Sequence, residues 1–146
     1  MSNVFARKRK PTELAFIVNA EKIQEEVTML VMRENVVTKK WRFSIGHGLI
    51  AKVDEMVDNI VAANSIFPAN EEELNLRRLY QAKAICNCYQ VQQRLRRLIK
   101  CVPTAAPKNI VQIAEMLRLE IVTLKNWKKA AKISTDASVI CCKSEE

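Results

Sequence analysis

The chain has 146 residues, 49% of them hydrophobic, and it contains only two glycines and four prolines. This composition can fill one core, and the shortage of turn-forming residues argues against a β-rich architecture and for long helices. No run of about 18 consecutive apolar residues is present, so no membrane span is expected.

Charge is distributed unevenly along the chain, whose formal net charge is +8. Residues 74–134 carry thirteen Lys or Arg against two acids, whereas residues 11–73 carry six bases against eleven acids. A field built by one half of a small protein favours a polyanionic partner, of which nucleic acid is the commonest. Five cysteines, an odd number with no secretory signal before them, indicate reduced thiols and a cytoplasmic location.

The N-terminal residues 1–11 include four consecutive bases, Arg7, Lys8, Arg9 and Lys10, and predict a flexible basic arm, either a nucleic-acid tether or a solvated tail. The first helix is expected to follow Thr12, a plausible N-cap, and to end near Asn35. Its apolar residues recur at helical spacing: Phe16, Ala20, Ile23, Val27, Leu30 and Val31.

The second helix is predicted to begin at Ser44 as its cap and to end near Ile66, before Phe67-Pro68. The third is predicted from Glu71 to about Cys101, with Asn70 as its cap and three glutamates in its first turn. The fourth runs from about Lys108 to Ile133. Residues 135–146 are expected to form a flexible tail.

Four amphipathic helices joined by short connectors predict an all-α, antiparallel up-and-down four-helix bundle over residues 12–134. Trp41 and Trp127 are expected to anchor its packing rather than to stack on bases. Arg77 falls on the apolar side of the third helix and needs a partner there. Asp54, Asp58 or Glu73 would make a structural ion pair; alternatively, Arg77 lines an opening in an oligomer.

Signatures of catalysis are lacking, so the chain is not expected to be an enzyme or to hold a metal or cofactor. The single histidine, His47, cannot form a multi-histidine site and is interpreted as a partly exposed helical residue. Cys86 and Cys88 diverge by about 200° on a helix and cannot chelate one ion, so Cys88 is assigned to the core. Cys141 and Cys142 are interpreted as incidental tail thiols.

The main candidate site is the basic face of the third helix. Arg94, Arg96, Arg97 and Lys100 lie within two turns, and such a cluster favours salt-sensitive binding to phosphates without sequence preference. Aromatic residues make up only 5% of the chain, which favours contacts to backbone and shape over base readout. The same face would also suit an acidic protein surface.

Some motifs resemble those of a known family. These are Lys39-Lys40-Trp41-Arg42-Phe43, the stretch 62–68, the stretch 76–80, the opening stretch 3–9 and a tryptophan late in the last helix, Trp127. The chain resembles the small four-helix-bundle proteins found beside reverse transcriptases, namely the accessory variability determinants of diversity-generating retroelements and related proteins encoded in ribosomal-RNA intervening sequences. It departs from them in having Lys39-Lys40-Trp41 where Phe-Pro-Lys is usual.

The resemblance implies a ring-like homopentamer without catalytic activity. It also implies binding to a reverse transcriptase and its structured template RNA, or an RNA/DNA hybrid, during mutagenic cDNA synthesis. Basic residues of the matched motifs would contact nucleic acid: Lys39, Lys40, Arg42, Arg77 and Arg78. The competing hypothesis is a helical protein-interaction module whose basic face binds an acidic partner without nucleic acid.

Overall fold

The computed structural model describes residues 15–134, so the predicted arm at 1–11, the Thr12 cap and the tail at 135–146 lie outside the described range. Four long helices fill it: α1 (Ala15–Met32), α2 (His47–Asn64), α3 (Glu71–Cys101) and α4 (Val111–Ala130). A 3₁₀ turn at Pro107–Asn109 precedes α4. The predicted helical bundle is confirmed, and none of the described helices is long and apolar enough to cross a bilayer.

The helices form a closed square in which α1 packs on α2 and α4, and α3 packs on the same two helices from the opposite corner. Neighbours run antiparallel. Near the start of α2, Gly48 faces Arg94 late in α3, whereas Asn59 near the end of α2 donates to Asn87, earlier in α3, at 2.6 Å. Short connectors favour this arrangement because consecutive helices then pack side by side.

The core consists of one apolar stripe from each helix, and these stripes lie where the spacing predicts. All six predicted residues of α1 are buried, and so are Leu117 and Leu124 of α4. Cys88 of α3 is buried against Met56 of α2, with a sulfur–sulfur distance of 3.4 Å, while Cys86 is exposed, as predicted. Burial of these stripes supplies the main stabilising free energy of the bundle.

The start of α3 confirms the prediction that Asn70 caps this helix. Asn70 Oδ1 accepts a hydrogen bond from the Glu73 backbone N–H at 2.9 Å, and Glu73 Oε2 accepts one from the Ala69 backbone N–H at 2.8 Å. This reciprocal arrangement satisfies free donors at the helix start, and the acids complement the helix dipole. The 31-residue helix spans about 46 Å.

The start of the second helix differs from the prediction. The chain turns helical at Lys39–Trp41, continues through a π-helical segment at Arg42–Gly46 and then enters α2 without a break. Ser44 lies inside the π-helical segment and its hydroxyl donates to the Lys40 carbonyl at 3.3 Å, so its predicted role as an N-cap is wrong. The helix starts earlier because Trp41 packs against the core.

Two glycines near the start of α2 have different surroundings. A Cβ atom on Gly46 would lie 2.6 Å from Cγ1 of Val31, a buried residue of α1. A Cβ on Gly48 would meet only the guanidinium of Arg94, with Nη1 at 2.8 Å, which is the far end of a flexible side chain. Gly46 is therefore required by the close approach of α1, whereas Gly48 is not.

We expect Gly46→Ala to lower the free energy of unfolding by about 1–3 kcal/mol, because α1 or Val31 must move in a packed core. Gly48→Ala, its matched control, should change stability little or raise it slightly, since alanine favours the helix. Urea denaturation of both variants checks this. Equal losses in the two variants would contradict the packing argument.

One carboxylate lies inside the core. Glu120 of α4 is fully buried; its Oε2 accepts a hydrogen bond from Asn19 Nδ2 at 2.7 Å, and its Oε1 has no partner among residues 15–134. Burial raises the pKa of Glu120 to about 7. The nearby Cys88 thiol stays neutral, because burial and Glu120 raise its pKa to about 12.

The ordinary pKa of glutamate is 4.5, so the folded protein binds more protons than the unfolded chain between about pH 4.5 and 7. Stability must therefore fall as pH rises through that window. We expect Glu120→Gln to flatten this dependence and to be more stable than the parent at pH 8, by on the order of 2–3 kcal/mol. Urea denaturation at several pH values tests this. A parent whose stability does not vary over the window would contradict it.

Candidate nucleic-acid interface

A groove lined by four cations lies between α3 and α4. Its walls are Arg78 from α3 and Lys125, Lys128 and Lys129 from α4, and its floor is formed by Ala82, Ile85 and Cys86. We call this feature the cationic groove; its volume is about 480 Å³. The lysines of α4 meet on one side because spacings of three and four residues bring side chains together on a helix.

Two contacts hold the walls of the groove in place. Arg78 Nη2 donates to the Ala131 carbonyl, just after α4, at 3.1 Å. Lys125 Nζ donates to the Tyr89 hydroxyl at 2.9 Å and lies 5.5 Å from the centre of that ring. Neither contact neutralises a charge, so both cations remain able to attract phosphate.

No carboxylate from residues 15–134 lines the groove. Residues 15–134 contain three ion pairs, Arg42–Glu34, Lys52–Glu55 and Arg118–Glu115. Arg118 is therefore the sole base of residues 74–134 with a carboxylate partner in the described range. Among residues 15–134, the acids of α1 and α2 form no ion pair with the bases of this half, and Glu55 of α2 lies near Arg94 rather than at the groove.

The groove side of α3 continues toward its C-terminal end. Arg96 follows Arg78 by eighteen residues, which is five helical turns, so the two side chains leave α3 in the same direction about 27 Å apart. Arg118 precedes Lys125 by two turns on α4. A stripe of this length would span about eight phosphates of one nucleic-acid strand.

The residues of the predicted basic face do not all share one surface. Arg94 and Arg96 are two positions apart and diverge by about 200°. Arg94 is half-buried and its guanidinium covers Gly48 of α2, whereas Arg96, Arg97 and Lys100 are exposed. The predicted cluster therefore divides between two sides of α3, with Arg96 on the groove side and Arg94 on the α2 side.

The basic residues before α2 lie at the opposite end of the bundle from the cationic groove. Lys39 and Lys40 are exposed there. Arg42 is half-buried: its Nε donates to the Val31 carbonyl at 3.0 Å and its Nη2 to the Met32 carbonyl at 3.3 Å. Arg42 thus caps the C-terminal end of α1, where a cation also complements the helix dipole.

Arg77 lies on the apolar side of α3 as predicted, but the predicted ion pair is wrong. No carboxylate lies within 4.0 Å of it among residues 15–134. Asp54 instead accepts from Gln24 at 2.7 Å, Glu73 caps α3, and Asp58 is exposed. Arg77 stacks on Trp127, with 5.3 Å from its guanidinium carbon to the ring centre.

The sequence did not assign Lys125, Lys128 and Lys129 to a binding site. Lysines are common in the last turns of a helix because they complement the negative end of its dipole, so their presence there needs no ligand. The available signal was their spacing, which puts them on one side of α4. Recognising a groove also required the register of α4 against Arg78, which no local pattern supplies.

Both tryptophans are packing residues, as predicted. Trp127 stacks on Phe16 of α1 with a centre-to-centre distance of 4.3 Å, and both indoles contact the core. His47 is exposed, with its ring 5.6 Å from that of Phe43. Within the part of the chain that the structure describes, no three His, Cys, Asp or Glu side chains are placed to hold a metal ion. Cys141 and Cys142 lie outside that part.

Comparisons with protein-family models, with curated proteins and with solved structures found no match for this chain.

A matched pair of variants tests which side of α3 binds RNA. Arg96→Gln should weaken binding to an RNA hairpin and reduce the slope of log K against log salt by roughly 0.9, as expected for one lost phosphate contact. Arg94→Gln should have a smaller effect, because its guanidinium lies over α2. Fluorescence anisotropy across a series of KCl concentrations measures both. A larger effect of Arg94→Gln would place the binding surface on the α2 side.

Proposed function

We propose that this chain is a non-catalytic, nucleic-acid-binding accessory protein of a reverse transcriptase. It binds structured template RNA, or an RNA/DNA hybrid, and the polymerase during mutagenic cDNA synthesis in a diversity-generating retroelement. The observation that carries the nucleic-acid part is the cationic groove, which presents four bases and, in the described part of the chain, no carboxylate. The polymerase and the retroelement rest on the family resemblance.

The electrostatics of the groove suit a phosphate backbone. Its lysines and arginine form no ion pair with any acid of residues 15–134, so binding releases the counterions of the nucleic acid without breaking an ion pair there. The groove also lacks an exposed array of aromatic rings for base stacking, since Tyr89 is engaged by Lys125. Both features favour backbone recognition without strict sequence preference.

Removing two groove charges tests the proposal. Lys125→Gln with Lys129→Gln should weaken binding to an RNA hairpin about tenfold at moderate salt and lower the salt slope by roughly 1–2. Both residues are exposed, so the fold should be retained. The control, Lys22→Gln with Arg33→Gln, removes two exposed charges from the α1 side and should bind nearly as the parent does. Equal losses of RNA affinity in both double variants would show that the groove acts only through the net charge of the protein and is not the binding site.

The polymerase and the oligomeric state have their own tests. A reverse-transcriptase gene beside this one, with a template/variable repeat pair, would support the retroelement, and co-purification with that polymerase would support the partnership. Apolar residues exposed on α4, Val111, Leu119 and Val122, are compatible with the proposed homopentamer. Multi-angle light scattering that finds a monomer at micromolar concentration would contradict it.

The alternative function is a protein-interaction module, and the apolar floor of the groove favours it. Ala82, Ile85 and Cys86 would suit a helix or peptide that carries both acidic and apolar side chains. Binding of such a partner would survive competition by unrelated RNA, whereas binding through a shared phosphate site would not.

A further inference from the structure

A second cavity lies at the end of the bundle where α2 connects to α3. Phe67 and Pro68 of the connection, Arg77 and Trp127 line it together with the segment Ala130–Ser134, and its volume is about 340 Å³. The Ser134 backbone N–H donates to the Pro68 carbonyl at 2.7 Å, so the segment after α4 is fixed to the connection. The cavity thus has a closed wall on that side.

The guanidinium of Arg77 is held in position at this cavity. It lies over the Trp127 ring at 5.3 Å, and Trp127 is itself fixed by its stack on Phe16 at 4.3 Å. Such stacking is characteristic of arginine, whose planar head contacts an aromatic face while its edge remains free for hydrogen bonds. The side chain is therefore pre-organised before any ligand arrives.

No hydrogen bond from the Arg77 side chain is formed within residues 15–134, and its Nε is shielded from solvent without a partner there. Burial lowers the pKa of Arg77, yet an arginine keeps its charge in proteins. The two Nη groups have no partner among residues 15–134 and are not fully buried, so they are the donors that an acceptor in the cavity can reach.

The remaining lining fixes the chemistry of that acceptor. Lys132 adds a second cation, and none of the residues that line the cavity within 15–134 is an acid. The other walls are mainly apolar: Phe67, Pro68, Ala130, Ala131 and Ile133. A cavity of this size is at the lower end of the range of about 300–1,000 Å³ used by small-molecule sites.

We propose that this cavity binds a small organic carboxylate that carries an apolar ring or chain. The carboxylate would take two parallel N–H···O bonds from Nη1 and Nη2 of Arg77, with Lys132 at the rim, while the apolar part would pack against Phe67 and Ile133. A carboxylate has two oxygens to match this planar fork, whereas the third terminal oxygen of a phosphate monoester would face apolar wall. This site is separate from the cationic groove and does not depend on nucleic-acid binding.

Nuclear magnetic resonance on the full-length, ¹⁵N-labelled protein tests the proposal, with phenylacetate as the probe. We expect saturable shifts of the Arg77 Nε–H and Trp127 indole N–H signals, and no comparable shift of the Trp41 indole. Phenylacetamide has the same shape without the charge and should bind at least tenfold more weakly. Failure of phenylacetate to saturate either signal at millimolar concentration would overturn the proposal.

Variants separate this site from general attraction to a basic protein. Arg77→Lys keeps the charge but removes the planar fork, and it should weaken phenylacetate binding at least tenfold. Lys132→Gln and Phe67→Ala alter exposed residues and should each weaken binding severalfold even if Arg77 variants fold poorly. Arg96→Gln removes an exposed charge from the same helix and should have no effect; an equal loss there would overturn the proposal.

Adenosine monophosphate, as a second probe, tests whether the ligand of the cavity is a phosphate rather than a carboxylate. Adenosine monophosphate should not displace phenylacetate from the cavity, although it is free to bind elsewhere on the basic side. If it shifts the Arg77 Nε–H signal to saturation at concentrations where phenylacetate does not, the cavity is a nucleotide site and the carboxylate assignment is wrong.

Discussion

Burial of one apolar stripe from each of four helices is the constraint on which the other features depend. Because α3 contacts both α2 and α4 along its length, its stripe fixes the rotation of the helix, and the rotation fixes the direction of every polar side chain on it. Arg78 and Arg96 consequently lie on the α4 side, and Arg94 lies on the α2 side. The basic surface is thus a consequence of packing, since the positions of the charges follow from the positions of the core residues.

The same constraint explains which features could be predicted. The limits of α3 follow from local signals, an Asn cap with three glutamates at one end and a proline soon after the other, and both were predictable. The start of the second helix was not, because Trp41 gains burial by extending the helix backward, and that gain depends on tertiary contact. Likewise, the helical position of Arg77 was predictable, but its partner was not, because partners depend on the register between helices.

The candidate interface also combines features that follow from the sequence with features that depend on how the helices pack. Helical spacing alone separates Arg94 from Arg96, so their opposite directions could have been derived from the sequence. The juxtaposition of Arg78 with Lys125 and Lys129 required knowledge of which turn of α4 faces which turn of α3. Charge sorting along the chain did indicate the half of the molecule that carries the cationic groove, because α3 and α4 pack side by side.

The π-helical segment at Arg42–Gly46 has a consequence for how this protein can change over evolutionary time. A π-helical turn holds one residue more than an α-helical turn spanning the same height. Deleting a single residue there would therefore restore regular α-helical geometry without turning the residues that precede it relative to α2. Trp41 would keep its contact with the core, whereas a deletion within the regular helix of α2 would rotate it by about 100°. The π-helical segment is thus the part of this connection where the loss of one residue should be tolerated.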